Sequence, residues 1–398
     1  MTAPRYIGID IHKKHFTVTA VDDQQRELLA PKKIAVQQFT AWAHEHLKST
    51  DQVAIEATIN SWAVHDQLCP LVDHVAVANT NKLKMITSSS KKTDPHDARI
   101  LAKLLAVQLL PTIWVPPQSV RELRSITKHR TQLIEQRGSA QNRLHNLLHR
   151  HNLSLPDGVP FKNANEAWWQ GLHLSNIEQL QLHHYWKTMQ LLNQQIAETE
   201  AEIAQLSASE CWLYPMTFLV QLSGVGLHTG MRILAAIGEI ERFPSAQKLV
   251  GYSGLGARVR ATGNTYYTGK ISKQGRRELR TALIASAWVA VRWSDHWRSV
   301  FSELAPRIGK QKAIVSIARR LLVAIWHVLT KKEVDRHADP HAIARSMMTW
   351  CSSHHLARSK GLHRLEFVRQ RRENSRRQRI FTNKPYHSAW RCAESGMF

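Results

Sequence analysis

The sequence predicts a mixed α/β domain at the start of the chain and a mainly helical region after it. Short apolar runs typical of buried strands alternate with helical patterns until Trp114-Val115-Pro116-Pro117, which is a rigid break. Apolar residues recur mostly at helical spacing after that break. A chain of 398 residues is long enough for two or three domains, each with a core of its own.

The first elements follow the order of an RNase H-like fold. Residues 5–22 are expected to form a two-stranded hairpin, and a third short strand should follow near Leu28–Ile34. Helices and strands then alternate, which indicates helices layered on a sheet. The expected elements are helix Gln37–Leu47, strand Gln52–Glu56, helix Ser61–Leu68 and strand His74–Ala78.

Four acidic residues in this region are candidate metal ligands. Asp10 and Glu56 each end a short apolar run that we interpret as a buried strand. Asp94 is expected to be the N-cap of a helix with Pro95 at its first position, and Asp97 lies on the same face one turn later. Four carboxylates from two strand ends and one helix start would form an oxygen-rich site for Mg²⁺ or Mn²⁺.

Each acid also has a simpler explanation. An acidic residue at a strand end is usually a solvated turn residue, and Asp94 and Asp97 could merely cap and charge a helix terminus. Asp10 argues against this interpretation because an unpaired carboxylate inside an apolar run is costly. We therefore favour a metal site, where two cations can activate a nucleophile and stabilise a leaving oxygen during phosphodiester displacement.

The charge of the chain indicates a nucleic-acid partner. Lys and Arg total 54 against 31 Asp and Glu, which gives a formal net charge of +23. A membrane surface is the alternative partner, but we find no long uncharged apolar segment and no signal peptide. We therefore expect no membrane partner and a cytoplasmic, nucleoid-associated protein. The four cysteines lack CxxC spacing, which argues against disulfides and a zinc site.

The middle of the chain predicts a helical arm. Apolar positions recur on a basic background over residues 119–151, and again over 182–203 at close to the 3.5-residue period of coiled coils. Arg130, Arg137 and Asn193 interrupt this pattern. A dimer-forming antiparallel coiled coil and a helical linker packed on its own domain therefore remain equally compatible with the sequence.

Two glycine-containing segments are candidates for contact with nucleic acid. In Leu222–Gly230, Gly224 and Gly226 resemble the turn of a helix-hairpin-helix, whose free amides hold a phosphate; a plain tight turn is the alternative. Gly254–Arg277 is interpreted as a loop that approaches a phosphate backbone, with a solvent-exposed basic hairpin as the alternative. The cations expected to make the contacts are Lys270, Lys273, Arg276, Arg277 and Arg280.

The rest of the chain is predicted to be helical with a basic end. Helices are expected at Arg276–Val291 and Ala313–Leu329. Arginines are dense between Arg358 and Arg379, where they would neutralise a nucleic-acid backbone; a solvated or disordered tail is the alternative.

Several motifs together resemble one protein family. They are similar to motifs of the DEDD transposases of the insertion-sequence one-ten family, which includes the Piv site-specific invertases. The resemblance runs in order over roughly residues 5–350. The segments that carry it are Tyr6–Lys13, Ile55–Thr58, Lys92–Ala98, Ser223–Gly226, Phe243–Ser245 and Gly269–Gly275.

The resemblance implies a division of the chain and a set of partners. A RuvC-like DEDD nuclease domain would span residues 1–117, a coiled-coil arm 118–207, a transposase domain 208–350 and a basic tail 351–398. Members of this family act on DNA at element ends and targets, and those studied as recombinases use a noncoding bridge RNA. We expect a homodimer or homotetramer, in which the acids and the nucleophile can come from different subunits.

The resemblance also assigns catalytic roles. The Mg²⁺-binding acids carry over to Asp10, Glu56, Asp94 and Asp97. The family nucleophile is a serine before a glycine, where this chain has Thr262 before Gly263. The threonine keeps the hydroxyl but adds a crowding methyl. We predict that Thr262 is the nucleophile; the alternatives are another hydroxyl, such as Ser253 or Ser272, or a catalytically impaired copy.

The predicted function is that of a metal-dependent DNA transposase or site-specific recombinase that moves its own insertion sequence. One alternative is a RuvC-like nuclease that hydrolyses junction DNA with water. Another is a decayed relative that binds nucleic acid without catalysis.

Overall fold

The structure is a computed structural model that describes residues 4–86, 93–263 and 265–353, together with 356, 366 and 369. Internal contacts divide it into two compact units, Met1–Pro116 and Pro117–Phe398. The division falls between the two prolines of the predicted break. The predicted basic tail, 351–398, lies outside the described residues apart from its first three positions and the three single residues.

The first unit contains a five-stranded mixed sheet in the order β3-β2-β1-β4-β5. Strand β1 pairs antiparallel with β2, which pairs antiparallel with β3; β1 pairs parallel with β4, and β4 with β5. The predicted mixed α/β region is therefore confirmed. The strands are β1 (Tyr6–Ile11), β2 (His15–Val21), β3 (Glu27–Ala35), β4 (Gln52–Glu56) and β5 (His74–Ala78).

Helices cover this sheet because its central strands are apolar on both faces. Ile9, Val18 and Ile55 are completely buried on one face, and Ala54 is completely buried on the other, as expected for strands between layers. Phe39 and Trp42 of the first helix pack into the same core. The helices of this unit are α1 (Val36–His46), α2 (Ser61–Leu68), α3 (Thr80–Ile86) and α4 (Asp94–Ala106).

Helix α4 approaches strand β1 most closely at Gly8. A Cβ atom at Gly8 would lie 2.7 Å from the backbone nitrogen of Ala102 and still closer to the carbonyl oxygen of Ala98. Ala98 and Ala102 are themselves completely buried. Glycine on the strand and alanine on the helix together let the two backbones meet without a side chain between them.

The second unit begins with two long antiparallel helices, α5 (Gln118–Arg150) and α7 (Asn176–Ser207). The residues that interrupt the apolar pattern pair across the two helices. Arg130 Nε donates to Glu200 Oε1 at 2.8 Å, and Arg137 donates to Asn193 Oδ1 at 3.1 Å. The far end of this pair is where α5 ends and α7 begins. There, Trp169 of the short helix α6 (Glu166–Gln170) completes a small core with α5 and α7.

The near end of this pair packs on the following helices, as a helical linker packed on its own domain would. Arg124 of α5 donates to the carbonyl oxygen of Ala235 at 2.7 Å, near the end of helix α9 (Leu227–Ile237). The far end forms its own core, as a projecting hairpin of helices would. The dimer-forming coiled coil stays a prediction.

The remainder of the second unit is mostly helical. Its core includes α13 (Lys310–Lys331), whose Ile317, Leu321 and Ile325 are completely buried. In the described part of the chain, α13 has the length and composition of a membrane-crossing helix, features that the core helix of a folded domain shares. The remaining elements are α8 (Glu210–Leu219), α10 (Ala246–Ser253), β6 (Ala257–Thr262), β7 (Thr265–Ile271), α11 (Arg277–Trp293), α12 (Asp295–Ile308), α13 (Lys310–Lys331) and α14 (Pro340–Ser352).

The contact at Gly8 leads to a stability prediction. Gly8→Ala is expected to lower the free energy of unfolding by about 1–3 kcal/mol, because a methyl group overpacks a rigid backbone contact. Denaturant unfolding of the full chain measures it. The matched control is Gly138→Ala in α5, where an added Cβ meets no atom within 4 Å. It should be neutral or stabilise the protein by about 0.5–1 kcal/mol. Equal losses in both variants would contradict the proposed close contact.

Candidate active site

The fold brings the four predicted acids to one edge of the sheet. Asp10 lies near the end of β1, and Glu56 is the last residue of the neighbouring parallel strand β4. Parallel strands end at the same edge, so both carboxylates belong to it. Asp94 and Asp97 enter from the first turn of α4, which packs on β1.

The predicted N-cap of α4 is wrong by one residue. Thr93 is the N-cap and Asp94 is the first helical residue, followed by Pro95. No side-chain hydrogen bond caps this end of the helix. The carboxylate of Asp94 is instead turned to the strands, where His15 Nε2 lies 3.2 Å from Asp94 Oδ2.

Electrostatic repulsion couples the acids. Asp10 is 8% exposed. Burial raises the pKa of the Asp10 carboxyl to about 6, and the negative charges of Glu56, Asp94 and Asp97 add to that effect. The four carboxylates are therefore close enough for each of the other three to disfavour the charge on Asp10.

Basic side chains balance one member of the group. The hydrogen bond from His15 lowers the pKa of Asp94, and the nearby charges of Lys33 and His12 contribute. Lys33 Nζ lies 3.6 Å from Asp94 Oδ2, and the rings of His12 and His15 stack with centroids 4.9 Å apart. These partners were not predicted; for His12 and His15 the run of polar residues between the first two strands was the available signal, whereas Lys33 lies on β3.

The acids suit a divalent cation chemically, but their side chains do not enclose one. In the described residues, no three His, Cys, Asp or Glu side chains are arranged to share a metal ion. The raised pKa of Asp10 nevertheless marks a site with excess negative charge, which a hard cation with oxygen ligands would neutralise. The assignment of Asp10, Glu56, Asp94 and Asp97 as ligands stays a prediction.

Thr262 lies on a β-hairpin in the second unit rather than on an open loop. It ends β6 and pairs with Thr265 at the start of β7. Gly263 has a φ of +55°, a left-handed conformation suited to a tight turn. Thr262 is exposed at this end of the hairpin. The alternative of a solvent-exposed basic hairpin therefore describes the local structure of β6 and β7.

The two alternative hydroxyls differ from Thr262 in their surroundings. Ser253 is completely buried; its Oγ donates to the Val250 carbonyl at 2.7 Å and accepts from the Leu255 amide at 3.2 Å. This serine holds the end of α10 and is closed to a phosphate. Ser272 directly follows β7, at the end of the hairpin opposite Thr262, and is half-buried.

Several predicted nucleic-acid contacts have a role within the fold. Gly224 has a φ of +85°, and an added Cβ would lie 3.0 Å from the backbone nitrogen of Ala290 in α11. Arg280 donates to the carbonyl oxygens of Ser253 at 3.1 Å and Lys273 at 3.2 Å. Gly224 and Arg280 thus have packing reasons for their identity, apart from any contact with a ligand.

The other predicted contacts are more accessible. An added Cβ at Gly226 meets no atom within 4 Å. Arg276 is half-buried, and its Nε donates to the Tyr252 hydroxyl at 3.1 Å. The exposed members of the group are Lys270, Lys273 and Arg277. Their role in binding nucleic acid stays a prediction.

Comparison with known proteins gives two family matches. A family model described as "Transposase", of the DEDD type, matches residues 7–153 and includes all four acids. A second, described as "Transposase IS116/IS110/IS902 family", matches residues 216–302 and includes the β6–β7 hairpin.

Individual relatives agree with these matches. The pilin gene-inverting protein of Moraxella bovis is 25% identical over 345 residues, 81% of this chain and 95% of that protein. The transposase for insertion sequence element IS1111A of Coxiella burnetii is 24% identical over 62% of this chain and 69% of its own length. A putative transposase of Sinorhizobium fredii is 27% identical over 56% of this chain, which spans half of that protein.

The two family models match the chain in the order that the sequence motifs predicted. An insertion-sequence transposase and a gene-inverting protein each align with more than half of the chain. The chain therefore belongs to the IS116/IS110/IS902 family of insertion-sequence transposases.

Proposed function

We propose that this chain is a divalent-metal-dependent transposase, or site-specific recombinase, that cuts and joins the DNA ends of its own insertion sequence. The observation that carries the proposal is the group of mutually repelling carboxylates around Asp10. The 3-2-1-4-5 strand order of the sheet supports an RNase H-like, RuvC-like domain. Such a group at the ends of paired strands suits phosphodiester chemistry better than passive binding, because it would repel nucleic acid without a cation.

The acids would hold the metal. Asp10 and Glu56 are fixed by the sheet, and Asp94 and Asp97 by the first turn of α4. Bound Mg²⁺ or Mn²⁺ would supply charge stabilisation to the reacting phosphate. His15 and Lys33 hold the Asp94 carboxylate in its ionised form, which is the form that binds cations.

Thr262 would act as the nucleophile. Its Oγ forms a bond to the scissile phosphorus while the bond from phosphorus to the leaving sugar oxygen breaks; the hydroxyl proton passes to water and the leaving oxygen gains a proton. A DNA hydroxyl then displaces threonine and rejoins the strand. The exposure of Thr262 beside a glycine turn supports this role.

The proposed partners are DNA, a noncoding bridge RNA and further copies of the chain. The net charge of +23 supports a large polyanionic surface. The relative in Moraxella bovis is named for gene inversion and that in Coxiella burnetii for transposition, which supports action on defined DNA ends. We propose a homodimer or homotetramer in the cytoplasm, associated with the nucleoid.

One observation favours a second candidate function. The β-branched Thr262 stands where the family has serine, and its methyl group restricts the rotation of the hydroxyl. The alternative is therefore a catalytically impaired copy that still binds nucleic acid. Formation of a covalent link between protein and DNA distinguishes the two candidates.

The repulsion at Asp10 gives a pH-dependent prediction. Because the folded-state pKa is raised, ionisation of Asp10 opposes folding; the penalty is absent below about pH 4 and complete above about pH 6. At about pH 8 without metal, Asp10→Asn should raise the free energy of unfolding by roughly 1–2 kcal/mol, since solvent screens part of the repulsion. Denaturant unfolding of the parent and the variant at about pH 4 and at about pH 8 measures this change in the free energy of unfolding.

The same variant should lose recombination, as should Glu56→Gln, Asp94→Asn and Asp97→Asn. The control is Asp23→Asn, which removes an exposed acid of the same unit and should change neither stability nor activity. Retained recombination in the Asp10 variant would rule out the proposed metal site. An unchanged stability at about pH 8 would contradict the repulsion on which the proposal rests.

Thr262→Ala should abolish the covalent adduct between protein and DNA while DNA binding is retained. Thr262→Ser should keep or raise adduct formation, because it removes the methyl group and leaves the oxygen. The measurement is adduct formation on labelled element-end DNA in denaturing gels. Thr265→Ala is the matched control, because Thr265 is the exposed strand partner of Thr262 across the hairpin and its hydroxyl should be dispensable.

Two outcomes would overturn this assignment. An adduct in the alanine variant would move the nucleophile to another residue, with Ser272 the more accessible of the two alternative serines. No adduct with either the parent chain or the serine variant would favour the impaired copy.

An RNA requirement is the third prediction of this proposal. Protein freed of RNA by high salt and nuclease should recombine DNA only after the noncoding transcript of the element is restored. An unrelated RNA of equal length is the control. A full rate of recombination without RNA would contradict bridge-RNA guidance for this chain.

A further inference from the structure

The second unit contains a basic cleft between helices α5, α9 and α11, separate from the β6–β7 hairpin. Its volume is about 450 Å³, the size of a pocket for a small ligand rather than a groove for a duplex. Five cationic side chains line it, against the two acids Glu135 and Glu278. The cations are Arg124 and Lys128 of α5, Arg232 of α9, and Arg276 and Arg277 at the start of α11.

The arginines of this cleft are held close together. Burial lowers the pKa of Arg124 to about 10, and the charge of Arg276 adds to that effect. Burial also lowers the pKa of Arg232; the charge of Arg130 adds to that effect, and the charge of Glu278 opposes it. Positive charge is thus concentrated where solvent screens it poorly, which raises the attraction for an anion.

The fold positions these side chains through neutral groups. Arg124 donates to the carbonyl oxygens of Ala235 at 2.7 Å and Ala236 at 3.3 Å, and Arg232 donates to Thr281 Oγ1 at 3.2 Å. These contacts orient the guanidinium groups through uncharged oxygens, and Arg124 also hydrogen-bonds the side chain of Tyr252. Each guanidinium carries five N–H donors in a planar fork.

The start of α11 adds a further source of positive potential. The helix runs for 17 residues from Arg277, and no side-chain hydrogen bond caps it. The first amides of a helix lack internal partners and carry the positive end of the helix dipole. Anions, phosphates above all, bind at such ends.

We infer that this cleft binds the phosphodiester backbone of a single nucleic-acid strand. The inference rests on the proposed function, because the cleft is where the second unit would hold the nucleic acid on which the transposase acts. Its chemistry is phosphate recognition, which DNA and RNA share. The inferred site adds Arg124, Lys128 and Arg232 to the cations already predicted to contact nucleic acid. In the sequence these three residues look like ordinary solvent-facing positions of helices.

The test measures binding directly and does not depend on catalysis. A variant carrying Lys128→Gln and Arg277→Gln removes two exposed cations from the cleft. Its matched control carries Arg150→Gln and Lys187→Gln, which removes two exposed cations from the far part of α5 and α7. Fluorescence anisotropy follows the binding of the full-length proteins to labelled single-stranded DNA, duplex DNA and single-stranded RNA of one sequence, over a range of salt.

The cleft variant should bind at least one single-stranded probe roughly tenfold more weakly at low salt. The slope of log affinity against log salt should flatten by roughly 0.7 for each lost phosphate contact on a single strand. A loss confined to RNA or to DNA identifies the strand that occupies the cleft. Arg232→Gln, which changes a half-buried side chain, should weaken the same probe and is compared at equal folded fraction.

Three outcomes would overturn the inference: wild-type affinity and slope in the cleft variant, an equal loss in the control, or a loss with duplex DNA alone. None of these bears on the proposed function, which adduct formation by the parent chain tests separately. Conversely, failure of the parent to form an adduct would leave the cleft measurement intact.

Discussion

The candidate metal site depends on the close approach of α4 to β1 at Gly8. The acids come from three elements that are distant in sequence, and only Asp10 and Glu56 are related by strand pairing. Asp94 and Asp97 reach the same edge because a glycine faces two alanines where the helix crosses the strand. A side chain at that crossing would separate the layers by about the width of a methyl group, and each carboxylate on the helix would move with it.

The site combines opposing electrostatic effects. Burial and three neighbouring acids disfavour the charge of Asp10, whereas His15 and Lys33 favour that of Asp94. Burial is the main cause of the raised pKa of Asp10, and the three neighbouring acids add to it. Ionised Asp10 therefore lowers the stability of the fold, and a cation bound at the proposed site would relieve this penalty.

Sequence reasoning succeeded where a local pattern determines the structure. The bounds of β4 and β5 follow from short apolar runs between turns. Two features escape such patterns. The sequence favours a loop over residues 254–277 because the β6 and β7 strands expose polar side chains and lack the apolar alternation of a buried sheet. The basic cleft is assembled from α5 and from α9 and α11, which follow much later in the chain, and periodicity gives no sign of their meeting.

The length of α5 has a mechanical consequence. Its 33 residues form one unbroken helix, about 50 Å long at 1.5 Å per residue. Arg124 and Lys128 lie near its first turns, and Leu144 and Leu147 belong to the small core around Trp169 near its last. A rigid helix transmits motion between its ends. If α5 tilts by about 5° at the cleft, its end near Trp169 moves by roughly 4 Å. A ligand that displaces the core around Trp169 would therefore also displace Arg124 and Lys128 through the rigid helix. No series of side-chain rearrangements between the two ends is needed.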